Sequence, residues 1–261
     1  MALLLVRPGA AVRALAVPAL VVALAAPAAA DVDPPPVGTD VDYQLGGASA
    51  APAHVGILVR DRGAKPAAGR YNVCYVNGFQ TQSSERRFWR KRMRLVLRDH
   101  GRPVVDEAWG EWLLDTRTRA KRRALARVVG GWVDRCADDG FDAVELDNLD
   151  SFTRSHRLLK RRHAVALARL LVRRAHASGL AVGQKNLAGF DGSRIGYDFA
   201  VAEECGRYRE CRRYRASYGR RVLVVEYRAK DFRRACRRHA GGLAIVLRDR
   251  DLTPAGVHRW C

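Results

Sequence analysis

The stretch Phe141-Asp142-Ala143-Val144-Glu145-Leu146-Asp147-Asn148-Leu149-Asp150 decides how the rest of the chain is read. A short apolar strand, residues 143–146, ends in a cluster of acidic and amide groups. Carboxylates at a strand end cost stability unless they are paired or solvated, so several together need a reason. In an α/β barrel the carboxyl ends of the strands are the floor of the active site, and acids collect there. Asp147 is the residue to follow.

Outward from this strand, seven further apolar runs share its form. Residues 42–45 are followed by 55–59 running to Asp61, and by 71–76 ending at Asn77. After Asp147 come 181–183 ending at Gln184-Lys185-Asn186, 199–202 ending at Glu203-Glu204, 222–225 ending at Glu226, and 243–247 ending at Arg248-Asp249. Short apolar runs of this kind mark buried parallel strands. Between the later ones lie stretches of helical spacing, residues 119–136 and 156–177. Eight strands alternating with helices predict an α/β fold, a single-domain (β/α)8 TIM barrel. The first two connections are too short for full helices, so those β/α units should be irregular. Residues 103–115 break the alternation and read as a loop insertion over one end.

The first thirty residues stand apart. Arg7 and Arg13 precede an apolar run, 14–26, and Ala28-Ala29-Ala30 resembles a cleavage site, the layout of a secretory signal peptide. The run is short for a membrane span, and no second one follows. Residues 31–39, with Pro34, Pro35 and Pro36, read as an extended linker, and 40–261 as the barrel domain. The expectation is a secreted, extracellular monomer. All six cysteines lie beyond the signal, and an even count in an exported chain favours disulfides. Cys205 and Cys211 are spaced to close a small loop. Cys74–Cys136 and Cys236–Cys261 are then expected for the rest, among the fifteen pairings that six cysteines allow.

The formal charge is +20, but only six of the 47 cationic residues are lysines. Arginines fall on helical stretches such as 117–123, where a solvated face is the default, so no specific nucleic-acid site is expected. Without a CxxC pair, a Gly-rich phosphate loop or a dinucleotide fingerprint, zinc, nucleotide and cofactor chemistry have no sequence support. None of the seven histidines ends a predicted strand, which disfavours a nucleophile with a histidine base. Carboxylate chemistry remains: Asp147, Asp150, Glu203, Glu204 and Glu226 at strand ends, with Asp42 and Asp249 at the first and last strands. Glycoside hydrolysis needs two carboxyls in opposite protonation states, and crowding several acids provides both. Tyr43, Tyr75, Phe79, Trp109, Trp112 and Tyr227 are candidates to stack on sugar rings. Asn77, Gln184, Lys185, Asn186 and Arg248 are candidates to bind hydroxyls. Glu145, on the same strand face as Asp147, reads as a buried acid that sets its charge.

These pieces resemble the secreted endo-α-1,4-polygalactosaminidases, glycoside hydrolase family 114. The resemblance runs through Asp42-Tyr43-Gln44-Leu45, residues 71–77, residues 132–150, Gln184-Lys185-Asn186, residues 199–211, Glu226-Tyr227 and Arg248-Asp249. It implies a barrel that cuts α-1,4-linked galactosamine polymers with two acids and no metal or other cofactor. The family's aspartate after the fourth strand falls on Asp147, here expected as nucleophile. Its glutamate after the sixth, written Glu-x-Cys, falls on Glu203, expected as general acid/base, with Glu204 as the alternative. A glycan-binding barrel without catalysis, or a hydrolase of an acetylated or anionic exopolysaccharide, are the competing readings.

Overall fold

A computed structural model describes Leu3 and residues 32–261; the secretory-signal reading thus lies outside the described residues apart from Leu3. Eight parallel strands run β1 (Asp40–Gln44), β2 (Val55–Asp61), β3 (Tyr71–Asn77), β4 (Ala143–Asp147), β5 (Ala181–Lys185), β6 (Phe199–Glu203), β7 (Val222–Glu226) and β8 (Ala244–Arg248). Each pairs with the next in register order, and β9 (His258–Trp260) adds an antiparallel strand to β8. The result is a nearly closed single-domain barrel with one sequential sheet. Alternation along each strand divides the core. Val41, Tyr43, Ile57, Val59, Val73, Ala143, Ala181, Phe199, Val201, Leu223, Val225 and Val246 fill the interior, and the opposite faces pack under the helices.

β1 and β8 lie side by side without a ladder, and side chains close that seam instead. The guanidinium of Arg248 donates to Asp42 at 3.0 Å, to the carbonyls of Val257 and Thr253 at 3.0 Å each, and to the Tyr43 carbonyl. The Trp260 indole donates to the Val41 carbonyl at 2.8 Å. The ninth strand, unforeseen in the sequence, is therefore part of the closure.

Four long helices cover the later strands: α1 (Arg119–Asp138), α2 (Arg161–Ala177), α3 (Cys211–Tyr218) and α4 (Ala229–His239). α2 starts five residues later than its spacing predicts, because His156 and Arg157 take positive φ and turn the chain. No helix separates β1 from β2 or β2 from β3, as their short connections require. The insertion is larger than 103–115. Two small hairpins, Arg98–Asp99 with Arg102–Pro103 and Val105–Asp106 with Glu111–Trp112, fold over the carboxyl end near β3. Disulfides join Cys74 to Cys136, Cys205 to Cys211 and Cys236 to Cys261. The first ties β3 to α1, and the third pins the carboxyl terminus to α4.

Candidate active site

Period-two alternation decides which groups meet inside the barrel. Glu145 and Asp147 on β4, Lys185 on β5 and Glu203 on β6 all follow interior positions of their strands. The Lys185 Nζ lies 3.0 Å from Glu145, 3.4 Å from Asp147 and 3.4 Å from Glu203. One cation thus serves three carboxylates on adjacent strands. Gly183 makes room below it, since a Cβ there would come within 2.6 Å of the Phe199 ring.

Each acid has its own further partners. The Tyr75 hydroxyl donates to Asp147 at 2.7 Å, and so does the Asn148 amide at 2.6 Å. Asn186 clamps Glu203 twice: its side-chain amide donates to the carboxylate at 3.0 Å, and its oxygen accepts from the Glu203 amide at 2.9 Å. The Tyr227 hydroxyl donates to the other Glu203 oxygen. Burial pushes the Glu203 carboxyl up, but Lys185 and the hydrogen bonds from Tyr227 and Asn186 outweigh it and hold it below its ordinary value. Burial also disfavours the Lys185 ammonium, yet Asp147, Glu145 and Glu203 together hold it well above the usual lysine range. Glu145 is different. Fully buried, with one oxygen unpartnered, it is pushed up to about 7, Lys185 opposing burial and Asp147 reinforcing it.

The backbone turns sharply just past each of these strands. Asn148, Asn186 and Glu204 have φ of 67°, 52° and 54°, in the left-handed region. Asparagine tolerates that region, while a glutamate there costs about 1–2 kcal/mol. Left-handed residues immediately follow Asp147, Lys185 and Glu203 at the rim, and strained backbone of this kind clusters at functional sites. The same turn rotates Glu204 out of the cleft, where Arg207 binds both its oxygens at 2.8 and 2.9 Å.

Above this floor opens a cleft of roughly 510 Å³. The hairpin insertion builds one wall with Asp106, Trp109 and Glu111, and the loop after β8 builds another with Arg250 and Asp251. Glu111 is pushed up to about 7, chiefly by burial, with Asp147 and Asp106 adding to it against a hydrogen bond from Asn77. Arg154 ties the wall together, bridging Asp106 at 2.7 Å and Asp150 at 2.9 Å. Seven carboxylates face three cations across this lining.

Two carboxyls of a barrel rim held on one lysine beneath an open cleft are equipment for acid–base and nucleophilic attack at a glycosidic bond. The model of glycoside hydrolase family GH114 matches residues 22–261. The chain belongs to this family. It is accordingly a glycoside hydrolase. Ega3 of Aspergillus fumigatus, crystallised with galactosamine, superposes with a TM-score of 0.71 at 21% identity, over 88% of this chain and 98% of Ega3. The glycoside hydrolase domain of PelA from Pseudomonas aeruginosa superposes with a TM-score of 0.58 at 14% identity, over 84% and 97%. At such identities both likenesses are of fold. Among curated proteins, no sequence matches the chain.

In this GH114 hydrolase the cleft gathers eight of the expected site residues: Tyr75, Trp109, Asp147, Asp150, Lys185, Asn186, Glu203 and Tyr227. Tyr43 and Glu145 lie directly beneath, joined at 2.7 Å, with Lys185 donating to the Tyr43 hydroxyl at 3.0 Å. Asn77 is buried behind the wall, bonded to Glu111 and Asn148. Asp42 and Arg248 are not cleft residues; they are fully buried in the barrel seam. Glu226 faces the helix layer, accepting from the Gly206 amide at 2.6 Å, because parity turns it away from the interior. Phe79 and Trp112 belong to the outer core, and Gln184 is bound to Tyr218 and Gly192 on the outer face of β5. The chief omissions from the sequence reading are Asp106, Glu111, Arg154 and Arg250. Glu111 had one signal, an acid between two tryptophans in a loop expected over one end. A group of metal-ligating types, Cys205, Cys211 and Glu226, comes together outside the cleft, but its two sulfurs are consumed by their disulfide.

Proposed function

We propose that this hydrolase is exported and cuts a galactosamine-containing polysaccharide internally at α-1,4 linkages, with Asp147 as nucleophile and Glu203 as general acid/base. The shared cation carries the pairing. Both carboxylates lie 3.4 Å from Lys185, so their nearest oxygens are no farther apart than twice that distance. Retaining glycosidases hold their carboxyls about 5–5.5 Å apart and inverting ones about 6.5–9.5 Å. The ceiling set by the common lysine reaches only the lower edge of the inverting range, which favours retention through a covalent glycosyl-enzyme.

Retention needs Asp147 ionised and Glu203 protonated when the sugar arrives. In the free enzyme Glu203 is held ionised, with burial as the largest influence in the opposite direction. A bound sugar displaces water from the cleft and adds to that influence, raising Glu203 toward the proton it must give to the leaving oxygen. Glu145, pushed up to about 7, can take up and release a proton beside Lys185 in the same cluster. After the leaving group departs, Glu203 accepts a proton from the water that attacks the Asp147 ester.

The cleft lining fits a sugar bearing amines, since seven carboxylates against three cations make it locally acidic on a chain of +20. Screening weakens the long-range repulsion beyond about 8–10 Å, leaving the local sign to decide. The galactosamine in the Ega3 crystal is in keeping with this choice. Three disulfides are the chemistry of an oxidising compartment and support export.

The test is release of reducing ends from a de-N-acetylated α-1,4-galactosamine polymer. Asp147→Asn and Glu203→Gln should each lose about 10³-fold or more in kcat/KM. With an aryl glycoside whose leaving group needs no proton, Glu203→Gln should regain its first step while Asp147→Asn stays inactive. The opposite pattern would exchange the two roles. Either variant within tenfold of wild type on the polymer would remove that residue from the mechanism.

A further inference from the structure

The outer wall of the barrel carries a second concavity of opposite sign. α3 and α4 flank an open groove of about 760 Å³ whose floor includes the Cys205–Cys211 disulfide. Arg209, Arg212, Arg215, Arg234 and Arg238 line it, and no carboxylate does. Arg234 is engaged, donating to Asp231 at 3.0 Å and to the Gly206 carbonyl at 3.1 Å. The other four are exposed, and none forms an ion pair with a described residue. Of the nearby acids, Glu204 is committed to Arg207 and Asp231 to Arg228 and Arg234, while Glu210, next to Arg209 in the chain, is outside the groove's lining. His239 lies among these charges, held below its ordinary pKa by burial and then by Arg215, Arg238 and Arg212.

Solvated arginines on a helix face usually diverge. Here Arg212 and Arg215, one turn apart on α3, share a groove with Arg238 from α4, a like-charge arrangement that the fold gains nothing from. Guanidinium groups bind carboxylate and phosphate oxygens in a bidentate fork. Four of them spread over such a volume exceed what one small anion can use. No Phe, Tyr or Trp ring lines the groove, so it lacks the stacking platform of a neutral-sugar or single-stranded nucleic-acid site.

We propose that this groove binds an anionic polysaccharide through its carboxylate or phosphate groups, independently of the catalytic cleft. The two concavities give the hydrolase two polymer sites of opposite preference: one cuts, and the other holds the enzyme on an anionic matrix.

The experiment is equilibrium binding of the full-length protein to polygalacturonate oligomers and to glycerol-phosphate oligomers at about 150 mM salt, where nonspecific attraction is weakened. The triple variant Arg212→Ala/Arg215→Ala/Arg238→Ala is compared with Arg119→Ala/Arg123→Ala/Arg127→Ala on α1, which removes the same charge elsewhere. The groove triple should bind at least about tenfold more weakly and the control less than twofold, with hydrolysis by both unchanged. Whichever oligomer binds more tightly names the oxyanion. If the groove triple does not fold, Arg238→Gln alone should weaken binding about threefold. Equal losses in the two triples, no saturable binding by wild type, or tighter binding to duplex DNA than to either oligomer would overturn the proposal.

Discussion

Two buried cations at the carboxyl end of this barrel are treated in opposite ways. Arg248 is hydrogen-bonded to one carboxylate, Asp42 at 3.0 Å, with the half-buried Asp249 farther off at 3.8 Å, and its other donors reach backbone carbonyls of Val257, Thr253 and Tyr43. Asp42 in turn accepts from Gln44, the Tyr43 amide and His258. Every charge there has its partner. Lys185 instead faces three carboxylates and can neutralise one. Its cluster is left with surplus negative charge, a carboxyl raised to about 7 and an orphaned oxygen on Glu145. Balanced burial of charge closes the seam; unbalanced burial leaves protons free to move between groups, which catalysis requires. Both cations sit at the ends of interior strand faces, so stoichiometry separates structure from chemistry here.

Removing each cation should therefore break different properties. Arg248→Met leaves Asp42 buried without its main counter-charge, and loss of one partner of a buried pair costs about 3–5 kcal/mol. Chemical denaturation should show that loss, while kcat/KM measured well below the transition stays within about threefold of wild type. A large fall in kcat with normal stability would place Arg248 in the chemistry after all.

Lys185→Met should also cost stability, since it strips three carboxylates of their cation, but its distinguishing effect is on the rate. Lys185 is the leading influence that lowers Glu203, so both Glu203 and Glu145 rise when it is removed. The expected loss is about 100-fold in kcat, or roughly 2.7 kcal/mol of transition-state stabilisation. The alkaline limb of the pH–rate profile should move to higher pH, because Glu203 then keeps the proton it must give to the leaving oxygen up to a higher pH. An unchanged limb would mean that Lys185 only fills space.

The same distinction explains what could be read from the chain. Eight strands were legible because each is a short apolar run, and the barrel followed from their alternation with helices. Asp147 and Glu203 were legible because an acid at the end of such a run has few structural reasons to be there. Asp42 and Glu226 lie elsewhere because strand position was read without the face on which the side chain lies; Arg248 has interior phase, but the seam between β1 and β8 takes up its guanidinium. Glu226 falls one residue out of phase with the interior positions Leu223 and Val225, and its neighbours are Gly206 and the helix layer. Glu111, Asp106, Arg154 and Arg250 were illegible because loops bring them in. Their place in the cleft depends on a hairpin and on closure around Arg154, which no local periodicity encodes.

The smallest and most specific effect belongs to Glu145. A carboxyl whose folded pKa is raised from the ordinary 4.5 to about 7 binds its proton more tightly in the folded state. Its stabilising contribution is complete below pH 4.5 and is lost as pH rises to about 7. Glu226, raised to about 7 mainly by burial, contributes the same slope from the other side of the sheet. Glu145→Gln and Glu226→Gln should each leave stability at pH 4 nearly unchanged and raise it at pH 8 relative to wild type, by on the order of 2 kcal/mol. Only Glu145→Gln should also reshape the pH–rate profile, since Lys185 then has two carboxylates to hold rather than three. Melting temperatures from pH 4 to 8, set beside the rate profiles of both variants, test this directly. If the two substitutions reshape the rate profile equally, Glu145 is a buried acid like any other, and the surplus charge around Lys185 is not what sets the protonation of Glu203.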